Sequence, residues 1–190
     1  RTLETREWGL IPFWAKEPNP LINARSETVT EKPSFRHAFR KRRCLIPASG
    51  FYEWAKEEGQ KQPYFIRLKN GSPMAFAGLW EEWTSTKGET RRTCVILTIA
   101  ANSLMQEIHH RMPVILTPSS GAMWLDNSVG RSSPEKLLLP FSADKMEAWR
   151  VSPKVSVPAF DNPDCFRKLE KAEASEKKPE PPEAQASLFD

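Results

Sequence analysis

Apolar residues in this chain fall in short runs separated by Gly, Pro, Asn and charged clusters, the pattern of strands joined by hairpins. Residues 7–10 read as a strand. A Pro-rich aromatic loop spans 11–20 and leads to 21–25. A short helix is predicted over 34–39, with Pro33 near its start. The basic cluster Arg40-Lys41-Arg42-Arg43 then runs into Cys44-Leu45-Ile46-Pro47. Residues 50–54 read as a strand entering a charged hairpin at 55–62, and a further strand is expected at 64–68. Asn70-Gly71 marks the next turn. Two more apolar runs, 74–80 and 93–100, are joined by a polar loop containing Lys87-Gly88. Short helices are expected at 102–108, 119–125 and 143–149, with 114–116 strand-like. Strands dominate, so the expected fold is α+β: an antiparallel, barrel-like sheet carrying short helices.

Composition narrows the class. A chain of 190 residues can bury one sizeable core, and no run is long enough for a membrane helix. No secretory signal is visible. Three scattered cysteines, Cys44, Cys94 and Cys165, form no paired motif. They argue against a disulfide framework or a zinc site and fit a reducing, cytoplasmic setting. Three histidines leave little for a multi-histidine metal centre, so neither metal nor cofactor is expected. Residues 1–166 carry 23 basic against 18 acidic groups, which permits a phosphate-bearing partner without demanding one. Seven tryptophans are the more unusual feature: beside arginines they make stacking platforms for unpaired bases.

Several positions carry candidate chemistry. Glu53 lies between Tyr52 and Trp54, where desolvation would favour proton transfer. His109 sits where a helix gives way to a strand and suits acid–base work near neutrality. Arg25, after an aromatic loop, suits a nucleic-acid phosphate. Read singly, each also fits a structural role. Glu53 can be a solvent-facing strand residue, and His109 and His110 can cap a helix C-terminus. Trp8, Trp14, Trp54 and Trp80 can be core or rim, and Arg40 to Arg43 a solvated patch.

The ordered combination says more. Trp8-Gly9-Leu10-Ile11-Pro12-Phe13-Trp14 precedes Asn23-Ala24-Arg25-Ser26-Glu27-Thr28. Then come Arg43-Cys44-Leu45-Ile46-Pro47-Ala48-Ser49-Gly50-Phe51-Tyr52-Glu53-Trp54, Ala77-Gly78-Leu79-Trp80 and His109-His110-Arg111-Met112-Pro113. This series resembles the SOS response-associated peptidase (SRAP) family of abasic-site processing proteins across nearly all of residues 7–166.

The resemblance implies recognition of an abasic sugar in single-stranded DNA, or at a single-strand to duplex junction. The ring-opened aldehyde would react with an N-terminal cysteine exposed by self-removal of the initiator methionine. Its amine forms a Schiff base and its thiolate closes a thiazolidine, a covalent DNA–protein crosslink in which proximity favours ring closure. Carried over by motif, Asn23, Glu53 and His109 are the catalytic candidates. Asn23 would hold the opened sugar, Glu53 would manage the amine proton, and His109 would act as acid–base in ring opening. Arg25 and Arg111 would contact phosphates, and Trp14 with Pro12 and Phe13 would form a wedge that bends the strand. The reaction would class the family as hydrolase- or lyase-type, with peptidase chemistry limited to its own methionine.

The family pattern begins Met-Cys-Gly-Arg, whereas this sequence opens at Arg1. The expectation is a truncation that removes the nucleophile and the first strands, leaving residues 1–190 inactive alone. The alternative is a non-catalytic single-stranded DNA-binding module that keeps the groove. Cys44, Cys94 and Cys165 carry no free α-amine and cannot substitute. Residues 167–190 are rich in Glu, Lys, Pro and Ala and read as a disordered tail. Gln185, Leu188 and Phe189 at its tip resemble the peptide by which replication proteins dock on the sliding clamp. The resulting location is cytoplasmic, at the nucleoid in a bacterium.

Overall fold

A computed structural model of the chain describes residues 2–126 and 133–169; the clamp-type peptide at Gln185, Leu188 and Phe189 lies outside the described residues. The elements in order are β1 (Glu7–Trp8), β2 (Asn23–Arg25), α1 (Arg36–Lys41), β3 (Arg43–Ala48), β4 (Phe51–Glu57) and β5 (Gln60–Leu68). They continue with β6 (Met74–Thr84), β7 (Thr90–Ala100), α2 (Ser103–Gln106), β8 (Arg111–Pro113), α3 (Pro118–Trp124) and β9 (Met146–Arg150). Among the described residues no helix is long and apolar enough to cross a membrane.

The strands form a curled six-stranded sheet and a three-stranded sheet, β4-β5-β9. The longest strands pair antiparallel, as the alternation predicts. β7 is the hub. It runs antiparallel to β6 and β8 but parallel to the short strands β1 and β2. Those two parallel ladders were not legible in the pattern, because two or three residues carry no period.

The expected hairpin at 55–62 is tighter than its charge implies. β4 runs to Glu57 and β5 starts at Gln60, so the turn is only Glu58-Gly59, both with positive φ (48° and 80°). Such a two-residue turn matches the strand twist, and Gly59 adopts that backbone without strain. The helix expected at 143–149 is a correction. Residues Ala143–Lys145 make one 3-10 turn, and β9 then pairs antiparallel with β5. The β4–β5 hairpin needs a third strand for a stable sheet, and that requirement overrides local helix preference.

Ladder partners share a face, so β7 separates two cores. Val95 and Leu97 point beneath α1 and α3, packing with Leu79, Phe39 and Trp124. Ile96 points into the space between the sheets, with Phe51, Ile66, Phe76, Met105 and Met112.

The basic cluster is only partly a solvated patch. Arg43 is buried, its Nε donating to the Trp124 carbonyl at 2.6 Å. Its terminal nitrogens reach the carbonyls of Phe39 at 2.8 Å and Asp126 at 2.7 Å. One guanidinium thus satisfies the orphan carbonyls at the ends of α1 and α3. Arg42 turns inward to the buried carboxylate of Glu81.

Candidate functional site

The site grows from the period of β4. Phe51, Glu53 and Ala55 point inward and are buried, while Tyr52 and Trp54 face the other way. Glu53 is therefore forced into the space between the sheets, at 0% exposure. The outer pair is tied down: Tyr52 donates to the Cys165 carbonyl at 3.1 Å, and Trp54 Nε1 to Ser156 Oγ at 3.1 Å. Glu53 Oε1 accepts the Trp54 backbone N–H at 3.0 Å.

His109 reaches the same space from the end of α2. Asn102 caps that helix, accepting the Met105 N–H at 2.9 Å, and the His109 N–H closes its last turn on the Met105 carbonyl at 2.7 Å. The ring's Nδ1 lies 3.8 Å from Glu53 Oε2. It also lies 3.1 Å from the Arg111 backbone nitrogen and 3.3 Å from the Arg111 carbonyl oxygen, so the backbone that follows fixes the position of the ring. The His110 ring packs against it with centroids 4.3 Å apart. A buried carboxylate beside an imidazole is an arrangement that can take up, hold and return a proton.

β2 presents its residues on the same side. Asn23 is in register with Ile96, so the half-buried Asn23 side chain shares the inter-sheet face. Arg25, in register with Thr98, is two residues on along that face and exposed. The structure thus pairs Glu53 with His109 and puts Asn23 and Arg25 on the facing sheet edge.

Arg111 differs from its expected role. It is buried, and both terminal nitrogens are engaged by protein: Nη1 with Glu27 Oε1 at 2.7 Å, Nη2 with Glu27 Oε2 at 2.9 Å. Nη2 also donates to Thr98 O at 2.8 Å and Thr98 Oγ1 at 3.1 Å. This fork holds the Glu27 carboxyl below its ordinary value. Glu27 stands inside a motif noted in the sequence, yet nothing in one dimension pairs it with a residue 84 positions away.

The aromatic loop is closed by a double hydrogen bond between Leu10 and Leu21, 2.9 Å each way. Gly9 (φ 121°) makes the approach possible, since a Cβ there would lie 2.7 Å from the Pro20 Cβ. Phe13 and Trp14 stand about half exposed. Pro12 does not; it is buried and shapes the turn, its carbonyl accepting the Ala15 N–H at 2.9 Å. Trp83 Nε1 secures the loop by donating to the Ala15 carbonyl at 2.7 Å.

Cys44 and Cys94 are poorly disposed as nucleophiles. Burial pushes the Cys44 thiol up to about 12, and burial also raises Cys94. Among the described residues no three His, Cys, Asp or Glu side chains group as a metal site.

Known proteins resemble this chain in sequence and in fold. Residues 1–158 match the family described as SOS response associated peptidase (SRAP). The chain is 45% identical over 164 residues to the abasic site processing protein YoqW of Bacillus subtilis, covering 84% of this chain and 73% of that protein. It is 33% identical over 193 residues to the abasic site processing protein HMCES of Xenopus tropicalis, covering 87% of this chain and 57% of that longer protein. Among solved structures, a protein from Bacteroides thetaiotaomicron superposes with a TM-score of 0.80 at 34% identity, covering 86% of this chain and 75% of that one. From ordered motifs, fold and relatives together, the chain belongs to the SRAP family.

Proposed function

We propose that this protein processes abasic sites in DNA, holding the lesion strand single-stranded and joining it covalently through a thiazolidine. The observation that carries the reading is the Glu53 carboxylate, fully buried, 3.8 Å from His109 Nδ1 beside the Asn23 edge of the facing sheet. An abasic sugar sits mostly as a closed hemiacetal, so opening it requires a proton to leave the C1′ hydroxyl and one to reach the ring oxygen. His109 makes that exchange. Glu53 takes the proton from the attacking amine as it becomes a nucleophile, and the carbonyl oxygen leaves as water when the Schiff base forms. Thiolate addition to the imine carbon then closes the ring, the nitrogen keeping one proton. Asn23 orients the opened sugar by hydrogen bonds. Arg25 meets the adjacent phosphate, and Phe13 and Trp14 stack against the neighbouring base.

The nucleophile that the resemblance implies is an N-terminal cysteine, and residue 1 of this sequence is Arg. The test therefore uses protein from the full reading frame, incubated with a uracil-excised oligonucleotide and run on a denaturing gel. A shifted band, lost when the N-terminal cysteine is changed to Ser, is the expected result. An intact full-length protein that binds the strand without a denaturation-resistant band rejects the covalent reading and supports a binding module.

A further inference from the structure

The residues behind Glu53 have no part in the proton transfers just described. β4 is an edge strand, laddered only to β5 among the described residues. One row of its backbone groups lies outside the ladder, so something other than the sheet must fix that side. The telling group in that row is the Trp54 N–H. Its ladder partner, Pro63, turns its carbonyl the other way, to the Val151 N–H at 3.1 Å. The Trp54 N–H is left to the open edge, where Glu53 Oε1 accepts it at 3.0 Å. The carboxylate beside His109 is thus held by the backbone of the next residue.

That backbone is anchored from the outer face of the sheet. Residues 153–169 run over this face without forming a strand, and Pro153–Ser156 and Pro163–Phe166 are single 3-10 turns. Side chains of the sheet fasten them. Trp54 Nε1 donates to Ser156 Oγ at 3.1 Å, the Tyr52 hydroxyl to the Cys165 carbonyl at 3.1 Å, and Trp149 Nε1 to the Phe166 carbonyl at 2.9 Å. Tyr52 and Trp149 also pack on Phe65, each with centroids 5.3 Å apart, an aromatic layer that holds the segment without the Trp54 indole N–H. Trp54 is the anchor that is bonded at both ends, to Ser156 through its ring and to Glu53 through its backbone.

Resting on the proposed reaction, we infer that Trp54 is a positioning residue for Glu53. Its backbone N–H holds the carboxylate, and its indole N–H ties that stretch of β4 to Ser156 in the segment behind it.

The test uses full-length protein carrying its N-terminal cysteine. Trp54→Phe keeps an aromatic ring and removes the indole N–H, and Ser156→Ala removes the same hydrogen bond from its other end. Each should slow single-turnover crosslinking about tenfold, and the double variant no further, while affinity for a strand carrying a tetrahydrofuran abasic analogue stays within about twofold. In a Glu53→Gln background both substitutions should change the rate by less than about twofold, because the carboxylate they position is gone. Trp149→Phe, which loosens the segment from β9 instead of β4, should also change the rate by less than about twofold. By NMR hydrogen exchange, the Trp54 amide should lose about tenfold in protection in Ser156→Ala and keep it in Trp149→Phe. The inference is overturned if Ser156→Ala leaves either the rate or the Trp54 exchange unchanged. It is equally overturned if the slowing persists in the Glu53→Gln background, or if Trp149→Phe slows crosslinking as much as Trp54→Phe. Failure of the underlying reading registers separately: wild type would give no denaturation-resistant band while the exchange difference persisted.

Discussion

Among the described residues, two His–Glu pairs are built from nearly the same local parts. Glu53 and Glu81 both follow an aromatic residue on a long strand, and both are buried. Each accepts the backbone N–H of the next residue, at 3.0 and 3.1 Å. Each has a histidine Nδ1 near its other oxygen, at 3.8 Å for His109 and 4.0 Å for His37. The difference is the additional cation. Glu81 also meets Arg42, whose charge is permanent. That ion pair ties the end of α1 to β6. Glu53 faces the His109 imidazole, whose ring nitrogens can donate and accept a proton, which is what acid–base chemistry requires. The histidines differ too: the His37 side chain is 48% exposed and packs on the wedge, whereas His109 is 11% exposed and fixed by the Arg111 N–H.

The largest effect should come from Glu53→Gln. In protein carrying its N-terminal cysteine, the crosslinking rate in single-turnover gels should fall by about 10²–10⁴ with the fold intact. Glu81→Gln should do the reverse. It leaves Arg42 without its anion and costs about 2–3 kcal/mol of stability in urea melts, the partial exposure of Arg42 reducing the full buried-pair penalty. The rate of the folded fraction should stay within threefold. Equal rate losses in both variants would erase the functional distinction. The histidines come next: His109→Ala should slow crosslinking about 10–100-fold in single-turnover gels, while His37→Ala should change the rate on a single strand by less than threefold.

A smaller effect concerns the fork between Glu27 and Arg111. The Glu27 carboxyl is lowered by its hydrogen bonds to Arg111, against a partial opposing effect of burial. Its contribution is therefore fully present above the ordinary value of 4.5 and is lost as pH falls through the lower folded value. Glu27→Gln should remove that acid limb from a plot of urea midpoint against pH. The change should be about 1 kcal/mol or less, because Glu27 is half exposed. An unchanged acid limb would place the lowered carboxyl elsewhere. The smallest effect belongs to Cys44. With its thiol near 12, it should alkylate with iodoacetamide at pH 8 at least tenfold more slowly than an exposed cysteine, by intact mass. Cys44→Ala should alter crosslinking less than twofold. Rapid labelling at Cys44 would reopen it as a second nucleophile.

Sequence order alone pointed to Glu53 and His109, which the fold brings within 3.8 Å of each other, because each lies in a run distinctive enough to recognise. Alternation along 51–55 also implies that Glu53 and its aromatic neighbours take opposite faces. It does not say which face is buried, and a strand residue between two aromatics is equally consistent with solvent. Arg43 and Arg111 misled for a shared reason. A guanidinium is usually a surface charge, and only the folded chain shows what fills its donors: helix-end carbonyls in one case, Glu27 and Thr98 in the other.

What the amino-acid sequence determined by itself were the α+β class, the long antiparallel strands, the hairpin turns and the identity of the chemical groups. These depend on local period, turn residues and motif order, all of which are written along one dimension. The tertiary structure decided the parallel docking of β1 and β2 on β7, the conversion of 146–150 from helix to strand, and the partner each buried charge receives. Those outcomes depend on residues far apart in the chain competing for the same edge, face or anion. That competition is resolved only when burial makes an unmatched edge or charge too costly to keep.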